Sequence, residues 1–260
     1  MQTTLSTYRM ITSDIDRSLA TTAAEHSVAA ATEYYKSHIG EVKSIDDFIK
    51  DTRLYDYAMK AFGLEDMAYA KAFMRKVLVE GASDSKSFAN RLADDRFVRL
   101  AETFNFAELG EETTQTTAVQ QTVVDLYTRQ ALETDAGESN EAVRLALYFQ
   151  REAPKVASAY GLLADEALWT VVQTAFGFPD EMAAADIDLQ AKAISQQIDI
   201  ADLSDPAKLE KLITRFAAAW DAQNVATSNP ILVLFNATGS QASVDYDLLY
   251  ALTSLKHGGA

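Results

Sequence analysis

Cysteine is absent from the 260-residue chain, which excludes disulfides, thiolate metal sites and cysteine nucleophiles. Histidine occurs only as His26, His38 and His257, none in a His-Glu-x-x-His arrangement and no two spaced to ligate one metal. There is no Gly-x-Ser-x-Gly elbow and no phosphate-binding glycine loop. Four prolines and ten glycines are few, which points to helix. No apolar run approaches the ~20 residues that a membrane-spanning helix needs. The start, MQTTLSTYRMITSDIDRSLATT, lacks the basic and then apolar order of a secretory signal peptide. Basic residues are also short, 23 against 38 acidic, giving a formal charge of −15. That field repels nucleic acid and anionic membrane, and favours solubility.

What the chain does contain is the same segment twice. Residues 34–66 and 148–180 align without a gap at an offset of 114, with nine of 33 positions identical. The matched pairs include Tyr34/Tyr148, Ser44/Ser158, Asp51/Asp165, Leu54/Leu168, Phe62/Phe176 and Gly63/Gly177. Ser44 reads as an N-cap with Asp47 three residues on, a variant of the capping box. Asp51 restarts a helix whose Leu54, Tyr55, Ala58, Ala61 and Phe62 share one face. Gly63 and Gly177 read as left-handed helix stops, followed by the apolar Leu64 and Phe178. Pro179 suits the first position of the next helix. More weakly, 92–104 matches 203–216 with one inserted residue, and Asp205-Pro206 is a strong helix start.

Outside the paired segments, Leu5, Tyr8, Ile11, Ile15 and Leu19 predict one helix over 5–37. Residues 110–121, GEETTQTTAVQQ, read as a connector. Helices are expected near 119–134 and 140–152, with a turn around Asp135–Ser139. Ile231 to Phe235 is a short buried strand or a helical turn, which periodicity does not decide. Val244, Leu248, Leu252 and Leu255 form an apolar stripe on a closing helix. That stripe docks on the chain's own core or on a partner.

Residues that suggest chemistry have simpler uses. The acidic pairs Asp46-Asp47, Glu65-Asp66 and Asp94-Asp95 stand where helices begin, so capping accounts for them. Asp135 to Glu141 lacks the spacing of a calcium loop. Among the 12 Phe, 11 Tyr and 2 Trp, Tyr34, Tyr35, Tyr55, Phe62 and their matches in the second segment recur at core spacing, so packing accounts for them.

Several stretches carry a resemblance: EYYKSHIGEVKSIDDFIKDTRLYDYAMKAFGLEDMAYAKAFMRKVL (33–78), SFANRLADDRF (87–97), YTRQALE (127–133), VRLALYFQREAP (143–154) and DIADLSDPAKLEKLITRF (199–216). They resemble an uncharacterised family of alphaproteobacterial proteins commonly encoded beside flagellar basal-body genes. The resemblance implies a mostly helical protein linked to flagellar biology, and transfers no catalytic residue.

The expected fold is all-α, two related multi-helix repeats packed as a helical bundle with a C-terminal tail helix. The expected divisions are 1–109 and 122–225 for the repeats, 110–121 for the connector and 226–260 for the tail. The expected function is non-enzymatic, with no cofactor, metal or catalytic residue. It is protein–protein contact in bacterial flagellar assembly or function, with flagellar basal-body components as possible partners, and Val244, Leu248, Leu252 and Leu255 are the interaction candidates. Neither nucleic acid binding nor membrane insertion is expected. The expected location is the cytoplasm, or the flagellum after export without a signal peptide. Two alternatives are a carboxylate-based or metal-dependent hydrolase with its cleft between the repeats, and a cytoplasmic export chaperone. Function is expected where the copies diverge: the amino terminus, the connector and the tail after Pro230.

Overall fold

A computed structural model describes residues 3–92 and 94–228, without the side chains of 225–228. Val244, Leu248, Leu252, Leu255 and the 231–235 run lie outside the described residues, and their assignments are not tested. Among the described residues there is no strand, and the fold is all-α. The fourteen α-helices are α1 (Thr4–Thr12), α2 (Ile15–Ala23), α3 (His26–His38), α4 (Ile45–Lys50), α5 (Thr52–Ala61), α6 (Lys71–Glu80), α7 (Asp95–Thr103), α8 (Phe106–Leu109), α9 (Val123–Ser139), α10 (Glu141–Glu152), α11 (Ala159–Ala164), α12 (Glu166–Phe176), α13 (Ile187–Gln197) and α14 (Pro206–Ser228). The described residues up to Ala219 form one compact unit; of the second, Trp220–Ala260, residues 220–228 are described and are helical.

The single helix expected over 5–37 is three. Asp14 leaves helical backbone (φ −145°, ψ 75°), and its carboxylate accepts the Arg17 amide at 3.1 Å, capping α2. Ser18 Oγ then donates to the Ile11 carbonyl at 3.0 Å, which the break leaves without a helical donor. Glu25 is extended and starts α3. Each break re-aims a short helix: α1 packs on α10 and buries Tyr8, while α2 packs on α9.

Residues 34–66 fold as expected from their caps. Asp47 N–H donates to Ser44 Oγ at 3.1 Å and starts α4. Asp51 Oδ1 accepts the Arg53 and Leu54 amides and starts α5. Leu54, Tyr55, Ala58, Ala61 and Phe62 are all buried. The helix ends in a Schellman motif: Leu64 N–H donates to the Met59 carbonyl at 2.8 Å and Gly63 N–H to Lys60 at 2.9 Å, with Gly63 at φ 68°. Phe48, Phe62, Phe104 and Phe106 pack together here, with Phe48 and Phe104 centroids 4.7 Å apart. Each such ring stabilises by roughly 1.5–3 kcal/mol on burial.

Residues 148–180 carry the same devices. Gly161 N–H donates to Ser158 Oγ, and Asp165 Oδ1 accepts from Ala167 and Leu168. Gly177 (φ 67°) and Phe178 close the same motif onto Thr174 and Gln173. The core is more aliphatic, with Leu162, Leu168, Val171, Val172, Ile194 and Ile213 buried. Pro179 is extended and flanks a 3₁₀ turn, Asp180–Ala184, and so does not begin a helix itself. Asp94 and Asp205 cap α7 and α14 through Arg96 N–H and Ala207 N–H.

The 110–121 stretch is folded against the first segment. Thr113 and Thr114 are fully buried. Thr114 Oγ1 donates to the Val42 carbonyl at 3.1 Å, and Gln115 Nε2 donates to Gly40 at 2.9 Å. A π-helical turn, Ala118–Thr122, leads into α9, and the Tyr35 hydroxyl donates to the Val119 carbonyl at 2.9 Å. The turn expected at 135–139 is the last turn of α9. The break falls at Asn140, whose side chain accepts from Ala142 N–H.

Candidate functional site

Helices α7, α9 and α10 and the 3₁₀ turn Ala153–Lys155 bring together six charged side chains. Glu133, on α9, is 1% exposed at its side chain. It accepts from Arg129 Nε at 2.9 Å, and from Arg151 Nε and Nη2 at 2.8 Å each. Arg151, near the end of α10, also donates through Nη1 to Glu152 Oε1 and through Nη2 to Gln130 at 3.3 Å. Glu152, itself 6% exposed, further accepts from Arg99 Nη1 at 2.6 Å and Lys155 Nζ at 3.0 Å. Four cations thus surround two carboxylates. Burial alone would raise the pKa of Glu152, but the charges of Arg151, Arg99 and Lys155 outweigh it and hold the carboxyl below its usual range.

A second polar set adjoins this network. Arg151 lies over the Tyr148 ring with its guanidinium carbon 5.1 Å from the centroid. The Tyr148 hydroxyl donates to Asp165 Oδ2 at 2.6 Å, and burial together with that carboxylate pushes its pKa well up. Arg96 chelates Asp94 through Nε and Nη2 and donates through Nη1 to the Gly63 carbonyl at the end of α5. One arginine therefore ties α7 to the helix stop of the first segment.

Arg99, Glu152 and Lys155 of the first set and Asp94, Arg96 and Asp165 of the second line a cleft of about 590 Å³, within the ~300–1,000 Å³ of small-ligand sites. Its charged lining is Asp94, Asp95, Arg96, Arg99, Glu152, Lys155 and Asp165; its apolar lining includes Val98, Val156, Ala164 and Leu168, with Tyr160 among them. Arg99 Nε is buried with no acceptor. A buried donor left unpaired costs about 1–3 kcal/mol. Beyond the cleft, the half-exposed Tyr160 donates to Asp188 Oδ1 at 2.8 Å, and the α13 side chains Ile187 and Leu189 are 54% and 62% exposed. At the position matched to Tyr160, the first segment has Asp46, bound through both oxygens to Arg75.

The acidic pairs stand where capping places them: Asp46 and Asp47 in the first turn of α4, Glu65 and Asp66 in a 3₁₀ turn, and Asp94 capping α7. His38 stacks on Tyr34 with centroids 4.0 Å apart, and His26 opens α3. Among the described residues, no group of three or more His, Asp or Glu is placed to hold a metal ion. No described helix is long and apolar enough to cross a membrane.

A family model described as "Protein of unknown function (DUF1217)" matches residues 61–209. The chain belongs to the DUF1217 family. The DUF1217 segment contains the whole ionic network, the cleft and all of the second segment, but only the end of the first. The chain is also 53% identical to a protein of Agrobacterium tumefaciens, an alphaproteobacterium, whose X-ray crystal structure comes from a structural-genomics programme. That likeness covers 84% of this chain and 93% of the other, with a TM-score of 0.77. No curated protein matches.

Sequence reasoning missed the network. Two signals were present: Arg129 and Glu133 at i,i+4 in a helix with buried apolar positions, and Arg151-Glu152 one residue past the apolar 145–149 run.

Proposed function

We propose that this protein is a non-enzymatic helical protein that acts by protein–protein contact in bacterial flagellar assembly or function. The observation that carries the contact reading is the exposure of three large side chains on α11 and α13, Tyr160 at 49%, Ile187 at 54% and Leu189 at 62%. Covering exposed large apolar side chains with a partner lowers the free energy. The resemblance to proteins encoded beside flagellar basal-body genes supports the flagellar setting. The two matched segments, with equivalent caps, stops and tyrosine–aspartate bonds, support a duplicated helical unit as scaffold. The place of action is the cytoplasm or the flagellum, with basal-body proteins as partners.

Deletion of the gene tests the setting: impaired swimming or defective basal bodies is the expected result, and unchanged swimming with intact basal bodies overturns it. The double substitution Ile187→Asp with Leu189→Asp tests the surface. A folded protein that no longer supports motility is expected, and full motility with this variant removes α13 from the account.

A further inference from the structure

We propose that the face of α14 carrying Lys211 and Arg215 docks an acidic helix of a partner protein, two of whose carboxylates, one turn apart, meet the two cations. This deepens the contact reading above, on which it rests, by giving the chemistry of one partner.

Lys208, Lys211 and Arg215 stand exposed on one side of α14, at i, i+3 and i+7. Together with Asp202 they are the charged lining of a cleft of about 240 Å³, bordered by Phe176 at the end of α12. Asp202 is already bound to Lys208 Nζ. Asp205 and Asp199 also act on Lys208. Both are used as caps: Asp205 accepts the Ala207 and Lys208 amides, and Asp199 accepts the Ala201 amide. These carboxylates gather at the start of α14, whereas Lys211 and Arg215 lie about 5 and 10 Å further along it than Lys208. Neither has a carboxylate partner among the described residues. Glu210, the acid beside Lys211 in sequence, pairs with Arg9 instead. The Arg215 guanidinium lies 4.3 Å from the Phe176 ring centroid. That stack occupies a face of the guanidinium and leaves its edge donors for an acceptor.

Size and spacing select the occupant. The cleft is smaller than the ~300–1,000 Å³ of small-ligand sites, and so suits side chains of a partner. Its floor is apolar: Ile198 and Leu203 are buried and Leu212 is half-buried. Residues four apart on a helix have Cβ atoms about 5–6 Å apart, so two acids at i and i+4 on a facing helix match Lys211 and Arg215. Leucines at i+3 and i+7 fall on the same side of that helix and cover the floor. Salt screens charges beyond roughly 8–10 Å, so the local pair governs a short acidic segment. An extended polyanion would also meet the field of a chain with net charge −15.

The test uses the full chain and an acetylated, amidated alanine-based peptide of about 15 residues containing Glu-Ala-Ala-Leu-Glu-Ala-Ala-Leu, beside its glutamine isostere. The glutamate peptide is expected to bind and to shift the amide resonances of 208–215, with the glutamine peptide at least about tenfold weaker. Lys211→Gln with Arg215→Gln, at two exposed side chains, is expected to fold normally and lose the preference. Lys86→Gln with Lys192→Gln removes the same charge at two other exposed positions and is expected to keep it. Equal binding of the two peptides, shifts confined to other helices, an undiminished preference in the folded Lys211/Arg215 variant, or an equal loss in the Lys86/Lys192 variant overturns the proposal. The same shifts with inorganic phosphate alone assign the face to free anions, and binding to phosphatidylserine vesicles but not to the peptide assigns it to a membrane; either result overturns it. The measurement is independent of motility and leaves Ile187 and Leu189 untouched. Its failure therefore leaves the α13 surface and the flagellar setting to their own experiments.

Discussion

Tyr34 and Tyr148 donate the same hydrogen bond to a capping aspartate, Asp51 at 2.8 Å and Asp165 at 2.6 Å, yet their surroundings differ. Tyr34 is part-exposed, stacked on His38 on one side with the Arg53 guanidinium 3.5 Å from its centroid. Tyr148 is buried, with Arg151 over its ring and an ionic network beyond. The positions matched to Arg151 and Glu152 are Ser37 and His38. The first segment joins a core of stacked and edge-on aromatic rings; the second has aliphatic packing and buried charge. Caps and stops therefore set the helix path in both, while the residues that border the cleft belong to the second segment and to α7. A buried ion pair is weak evidence of stabilisation, because desolvation offsets its Coulomb gain.

The comparison breaks most clearly at Glu133. Glu133→Ala leaves Arg129 without its buried counter-charge and Arg151 with Glu152 alone, and is expected to cost about 3–5 kcal/mol in urea unfolding. His38→Ala, at the position matched to Glu152, removes one ring stack and is expected to cost less than about 1 kcal/mol. Similar losses from the two changes would contradict the contrast.

The two glycine stops sharpen it. Both have positive φ, so a β-branched residue is strained at either. Gly63→Val is expected to cost about 1–3 kcal/mol by thermal unfolding. Its added carbon also meets Arg96 and Gln130 at 3.8–3.9 Å, beside the carbonyl that Arg96 holds. At Gly177 nothing lies within 4 Å, so Gly177→Val is expected to cost less than Gly63→Val.

A smaller effect is pH dependence. The Glu152 carboxyl is held below its ordinary value of 4.5 in the folded chain, so the unfolded chain takes up the proton more readily. Its stabilisation is complete above that ordinary value and is lost as pH falls through the folded value. Glu152→Gln is expected to flatten the stability profile below about pH 4.5. An unchanged acid limb would remove Glu152 from the account.

Much of the framework is legible in sequence because caps and stops are local. Ser44, Asp51, Gly63 and their partners each act within a few residues. The breaks at Asp14 and Glu25 were not legible, since the apolar positions of α1 and α2 keep one continuous helical spacing. The polar composition of 110–121 hid a stretch held by the distant Val42 and Gly40 carbonyls and by the Tyr35 hydroxyl. The ionic network depends on how α7, α9 and α10 pack, and Arg99 and Glu152 are 53 residues apart in sequence. Only the combination of charge with an otherwise apolar helix hinted at it.

The most direct test of the contrast between the segments is urea unfolding of Tyr34→Phe and Tyr148→Phe side by side at pH 7. Each removes one hydroxyl from the same tyrosine–aspartate bond. The account predicts a loss of about 1.5–3 kcal/mol for Tyr148→Phe, where a buried bond to a carboxylate is lost, and a clearly smaller loss for Tyr34→Phe. Equal losses, or a larger loss at Tyr34, would contradict it.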